Sequence, residues 1–340
     1  MSNYIGTNDK KFWFGISLSF FLLTTTLVNA SGLEWTVART EHDQPDLQGI
    51  WYFGSNTPFE RPTDLGEKQA YTTEEALAIE KEMLEANQAL DAPLDPERNA
   101  PQVGGRIGFK ADYNFATHRN SLNRVNGEYR TSLVVDPADG RIPIREGFSD
   151  FTARRRAMGI NDFDGPESAD GRCLGGMAVD SLYPMPWNAN LQIVQTSSYV
   201  MIMTEMIHNA RIIRLDGSHR SDGIEYWSGD SVAHWEGDTL VVHTNSFRVE
   251  QTAAFMHMPL SEDFELTERF TATSKNEILY QFTVVDPQAY TRPFTVERII
   301  QRRAPGEHIY EFACHEGNYS MIGSLAGARL KDRSTSEQGN

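Results

Sequence analysis

From Leu191 onward, hydrophobic and polar positions alternate with a period of two, in short runs broken by turn residues. The runs are Leu191 to Gln195, Tyr199 to Leu215, Val232 to Thr244, Glu265 to Thr271, Ile278 to Val285, Phe294 to Gln301 and Ile309 to Cys314. Their joints, among them Asp216-Gly217, Glu236-Gly237-Asp238, Lys275-Asn276 and Pro305-Gly306, have turn chemistry. Consecutive strands with tight joints predict a mainly β chain: an antiparallel meander that closes into a lipocalin-like barrel or a curved sheet. Closure removes exposed edges and leaves an interior pocket. An open β-sandwich is the rival arrangement.

Upstream the pattern changes. Leu47-Gln48-Gly49-Ile50-Trp51-Tyr52-Phe53 is short and aromatic and ends at Gly54, which predicts a strand. Thr72-Thr73-Glu74-Glu75 forms a capping box in which the Thr72 hydroxyl faces Glu75. Leu77, Ile79, Met83 and Leu84 then recur at helical spacing, predicting a helix from Thr73 to Leu90. Between Asp91 and Trp187 the chain is rich in Gly, Pro, Asp and Arg, with one strand in Thr131-Ser132-Leu133-Val134-Val135. Long ordered loops of this kind cover or build functional sites, with surface loops as the plainer alternative. Residues 31–340 thus read as a single β-rich domain, helix- and loop-rich over 31–187 and strand-rich over 188–330.

The first thirty residues set the compartment. Lys10 and Lys11 precede an apolar run from Phe12 to Val28, and Val28-Asn29-Ala30 places small residues where a signal peptidase reads. The run contains Ser17, Ser19 and three threonines and falls short of the ~20 residues a spanning helix needs. The expectation is cleavage near Ala30, no stable membrane anchor afterwards, and a secreted or periplasmic mature chain. Losing Lys10, Lys11 and Asp9 takes the formal charge of −16 one unit further negative. Such a balance opposes binding to phosphate backbones, so nucleic acid is excluded as a partner. In an oxidising compartment the two cysteines, Cys173 and Cys314, are expected to pair. That bridge would close a loop of about 140 residues and contribute about 5 kcal/mol on the chain-entropy model. Spacing alone does not show that the two sulfurs meet.

Candidate chemistry comes from ionisable groups on apolar strand faces. In Tyr199-Val200-Met201-Ile202-Met203-Thr204-Glu205, both faces are apolar, and Glu205 shares one with Met201 and Met203. A carboxylate held there suits a general acid or base unless an arginine, Arg211 or Arg130, neutralises it. Alternation places Glu268 on the face of Leu266 and Phe270. His315, in Cys314-His315-Glu316-Gly317-Asn318-Tyr319, ends a predicted strand where a loop and substrate would meet. These three are the predicted catalytic groups. Arg119 and Arg130 would orient a polar substrate group, with Met203 and Tyr280 lining an apolar pocket. No cofactor is required.

The expected function is an acid–base enzyme of lyase, isomerase or cyclase type acting on a small, largely apolar substrate in the barrel. A non-catalytic periplasmic small-molecule-binding protein is the first alternative. A metal-dependent hydrolase using His208, His243 and His315 is the second, although their spacing is not chelating and a core histidine is commonly just hydrogen-bonded. Other motifs fail. Val103-Gly104-Gly105-Arg106-Ile107-Gly108 lacks a strand–helix unit, Asp162-Phe163-Asp164-Gly165 has Cys173 where a calcium loop needs Glu, and no Gly-x-Ser-x-Gly elbow occurs.

Four segments taken together carry a resemblance. Asp46-Leu47-Gln48-Gly49-Ile50-Trp51, Arg130-Thr131-Ser132-Leu133-Val134-Val135-Asp136-Pro137, His234-Trp235-Glu236-Gly237-Asp238-Thr239-Leu240-Val241-Val242 and the Cys314–Tyr319 run resemble a large family of exported, largely uncharacterised bacterial proteins. The similarity spans nearly all of the mature chain. It implies export and one shared fold, and it assigns no residue a catalytic role.

Overall fold

Period-two alternation builds a closed barrel. The computed structural model describes residues 35–91, 121–148, 188–248, 258–261, 263–317 and 319–338. The expected signal segment, Arg119 and Cys173 lie outside the described residues. Nine strands form the ring: β1 (Gly49–Tyr52), β6 (Asn190–Gln195), β7 (Tyr199–Thr204), β8 (Ala210–Leu215), β9 (Asp230–Glu236), β10 (Thr239–Asn245), β11 (Glu265–Ser274), β12 (Glu277–Val285) and β13 (Phe294–Arg302). β1 pairs with β6 on one side and β13 on the other, which closes the sheet. β5 (Val134–Asp136) extends it beside the start of β13. A separate ribbon of β2 (Ala70–Tyr71), β4 (Glu128–Arg130) and β3 (Arg124–Val125) lies outside the ring.

Inward positions follow the alternation. Leu191 and Ile193, Val200 and Ile202, Leu240 and Val242, Leu266 and Phe270, Ile278 and Phe282, and Val296 and Ile300 form one core cluster with Trp51 and Phe53. The predicted helix is α1 (Thr73–Asp91), started by the expected capping box: Thr72 N–H donates to Glu75 Oε2 at 2.8 Å and Glu75 N–H to Thr72 Oγ1 at 3.2 Å. Among the described residues no helix is long and apolar enough to cross a membrane.

Three expectations are corrected. The ring is mixed, because β8 and β9 run parallel, pairing Arg214 with Val232 and Leu215 with Ala233. Residues 216–229 do not turn back at Asp216-Gly217; they cross the outer face and return the chain to the end where β8 began. The run from Tyr199 to Leu215 is two strands, since Glu205 adopts helical torsions and starts a 3-10 turn at Met206–His208. Finally, Ile309 to Cys314 is not a strand. Backbone bonds from Cys314 N to Phe312 O and from Glu316 N to Ala313 O coil it into turns, and a helix not read from the pattern, α2 (Tyr319–Gln338), follows.

Candidate functional site

Register decides which groups meet. The starts of β6, β8, β9, β11 and β13 gather at one end of the barrel with the ends of β1, β7, β10 and β12. That end carries Glu205, Asp230, Asn245 and Glu265, whereas Glu268 sits deeper inside.

Glu268 is fully buried, on the inner face as alternation predicts. It is not a free acid or base. Arg211 grips both its oxygens, with Nη2 donating to Oε1 at 3.0 Å and Nη1 to Oε2, and Tyr280 Oη donates to Oε1 at 2.9 Å. Arg211 Nη1 reaches Thr244 Oγ1 at 3.4 Å, and Thr244 bonds Ser231 at 2.9 Å. Burial, then the neighbouring Glu268 charge, push the Tyr280 phenol well above its usual range, so it stays a donor. Tyr280 therefore faces the interior as expected, but its hydroxyl serves Glu268.

Glu205 lies elsewhere. Past the end of β7, it accepts Asn188 Nδ2–H at 2.9 Å and Asn190 Nδ2–H at 2.7 Å, and among the described residues no arginine pairs with it. Met203 points outward, half-buried, because Val200, Ile202 and Thr204 take the inner face. Arg130 is outside the barrel, clamped to Glu297 at 2.7 Å and Glu128 at 2.9 Å. His315 sits on an exposed turn, not at a strand mouth, because the preceding segment carries no ladder hydrogen bonds. One link joins this turn region to the Glu205 corner: Phe312 N–H donates to His208 Nδ1 at 3.0 Å. Glu205 and Glu268 thus stand in separate hydrogen-bond networks. Cys314 is not a free thiol.

The outer face of β8–β10 holds a cluster that the alternation did not reveal. The parallel crossover lays His219 over the strands, where its Nδ1 is 3.0 Å from Asp230 Oδ2 and its Nε2 is 2.8 Å from His243 Nδ1. His243 Nε2 in turn is 3.6 Å from Glu265 Oε2. Asp230, at the start of β9, is buried and held by a two-toothed Arg214 contact at 2.8 and 2.9 Å and by Arg220 N–H at 2.9 Å. Burial alone would raise its pKa. The Arg214, Arg220 and His219 hydrogen bonds outweigh that and hold the carboxyl well below the usual range.

An ionised Asp230 fixes the tautomers. A carboxylate only accepts, so His219 Nδ1 must carry a proton. When the pair is neutral, His219 Nε2 then accepts from His243 Nδ1–H, which leaves the lone pair on His243 Nε2. That atom lies on the outer face beside Glu265, which lines a cleft of about 410 Å³ with Glu225, Asn245, Ser246, Asp263 and Phe264. The arrangement is a base oriented by a second imidazole and an anchored carboxylate.

His208 is engaged with Phe312 and His243 with His219, and no group of three or more metal-binding side chains occurs among the described residues. Asp230 and His219 escaped sequence reasoning because His219 lies in an aperiodic loop. Arg298 was legible: in Val296-Glu297-Arg298-Ile299-Ile300, alternation sets it on the face of Val296 and Ile300. No protein-family model, curated protein or solved structure matches the chain.

Proposed function

We propose that this is an exported enzyme performing acid–base chemistry of lyase, isomerase or cyclase type, with His243 Nε2 as the proton-transferring atom. One observation carries this reading: the Asp230–His219–His243 chain ends in a half-exposed imidazole beside a polar cleft. His243 Nε2 takes a proton from the substrate. The resulting imidazolium is stabilised by Glu265 and keeps its Nδ1–H on His219, whose own Nδ1–H rests on Asp230. The same proton returns from Nε2 to another substrate atom, as an isomerisation or elimination requires. Glu225, Asp263 and Glu265 line the cleft, so the substrate is a small neutral or cationic polar molecule; anions would be repelled.

The pairing of Cys314 with Cys173 and a signal peptide ending near Ala30 belong to the same proposal. They agree with the engaged state of Cys314 and with the resemblance to exported proteins. The test is to incubate the protein with a metabolite extract in D2O and follow deuterium uptake or product formation by mass spectrometry. His243→Gln should lower conversion of the identified compound by about 100-fold or more. Wild-type turnover by that variant would overturn the assignment.

A further inference from the structure

Inside the barrel, Arg298 is fully buried and its Nε, Nη1 and Nη2 have no hydrogen-bond partner among the described residues. Its guanidinium lies between two rings, 5.4 Å from the Phe53 centroid and 5.3 Å from that of Tyr280. The Tyr280 hydroxyl is committed to Glu268, and Glu268 is already matched by Arg211, so those two charges cancel. Among the described residues, one positive charge is left over in the barrel interior.

Leaving such a cation unpaired costs far more than two ring faces return. Burial pushes the Arg298 pKa down to about 10, the direction expected of a buried cation without a counter-charge. A second orphaned donor sits on the same circumferential row, through the pairs Arg298–Tyr280, Tyr280–Phe270, Phe270–Leu240 and Leu240–Trp235: the Trp235 Nε1 atom is buried with no partner among the described residues. In a ring of nine strands, β9 and β13 stand nearly opposite each other. Both groups donate, neither accepts, and aromatic and aliphatic side chains fill the wall between them.

We infer that the barrel interior binds a small monocarboxylate, its carboxylate paired with Arg298 and its apolar body against Phe53 and Phe270. The charge count selects the class. A singly charged anion balances the surplus, whereas a phosphate dianion would bury a new net charge. The planar fork of Arg298 matches the two oxygens of a carboxylate. An alcohol or amine of equal length lacks the charge or carries the wrong one. This site lies on the inner wall, apart from His219 and His243 on the outer face, so it stands or falls independently of the acid–base proposal.

The purified protein is titrated calorimetrically with straight-chain monocarboxylates from acetate to decanoate and with the alcohols and amines of matching length. The expected result is saturable binding of at least one acid, about ten-fold or more tighter than its alcohol, with no binding of the amine. Arg298→Met should bring acid and alcohol within about two-fold of each other, since the charge-assisted contact is gone. The unaltered protein supplies a measurement that survives any folding failure of the variant. The tightest acid, labelled with carbon-13 at the carboxyl, should stay ionised to lower pH when bound than when free. Absence of saturable binding by every acid, acid preference retained in Arg298→Met, or a bound carboxyl that protonates at or above the pH of the free acid would each overturn the inference.

Discussion

His219 Nε2 and His243 Nδ1 stand 2.8 Å apart with their rings nearly perpendicular, at 69°, and that contact has room for one proton. The two imidazoles therefore act as a unit. Adding a proton to each would set two N–H groups against each other and break the bond. Nitrogen-15 spectra of the histidine rings should show one N–H shared in the hydrogen bond between the pair, and two rings without that coupling would remove the contact. His219→Leu should leave His243 without its orienting acceptor and lower turnover by about 100-fold, an effect the fold itself should not share.

Asp230 makes acid stability traceable to one group. Its native carboxyl titrates below the unfolded value of about 3.9, so as pH falls through that value the unfolded chain takes up the proton first. The stabilisation is present above about pH 4 and is lost as pH falls toward the native pKa. Thermal scans from neutral to acid should show a steeper acid limb in wild type than in Asp230→Asn. The variant should be less stable at neutral pH, and equal acid limbs would remove Asp230 from this role.

Glu268→Gln should cost about 3–5 kcal/mol in urea unfolding, because Arg211 is left as an unpaired buried cation. The double variant Glu268→Leu, Arg211→Met should recover most of that loss, as apolar replacement of a complete buried pair does. If Glu268 were a proton-transferring group instead, the double variant would be stable and inactive; normal turnover in it assigns the pair to structure.

Gly229 supports the cluster from behind. It has φ +72°, and an added Cβ would stand 2.6 Å from Thr244 Cγ2 and 2.8 Å from Asn245 O. Gly229→Ala should destabilise the protein by about 1–3 kcal/mol, from backbone strain alone, and displace the adjoining Asp230. A melting temperature equal to that of wild type would contradict the close packing described at this turn.

Strand alternation carried much of this molecule. It marked β6, β11, β12 and β13 and turned Glu268 inward, and the capping box at Thr72 placed the start of α1. It failed where the chain leaves the ladder. Glu205 was set among methionines by continuing a strand that stops at Thr204, and Arg211, considered as its partner, belongs to Glu268. His315 was carried to a strand mouth by apolar residues that lie in turns. The outer-face cluster joins a loop residue to two strands through a parallel crossover, and local pattern has no term for such a meeting. His243 was read only as a candidate ligand of the metal-dependent alternative.

The ring is sealed by its earliest strand. β1 lies near the start of the described chain, yet its partner β13 is the last of the described strands, and Arg302 Nη1 reaches back 254 positions to Gln48 O. Assembly order therefore runs against synthesis order. A chain emerging or crossing a membrane from its N-terminus carries β1 with neither neighbour, then β6 alone, and holds open edges until residue 302 arrives. The last loop closed is also the largest, so closure itself is the step whose chain-entropy cost must be met by contacts already made in β6 through β12.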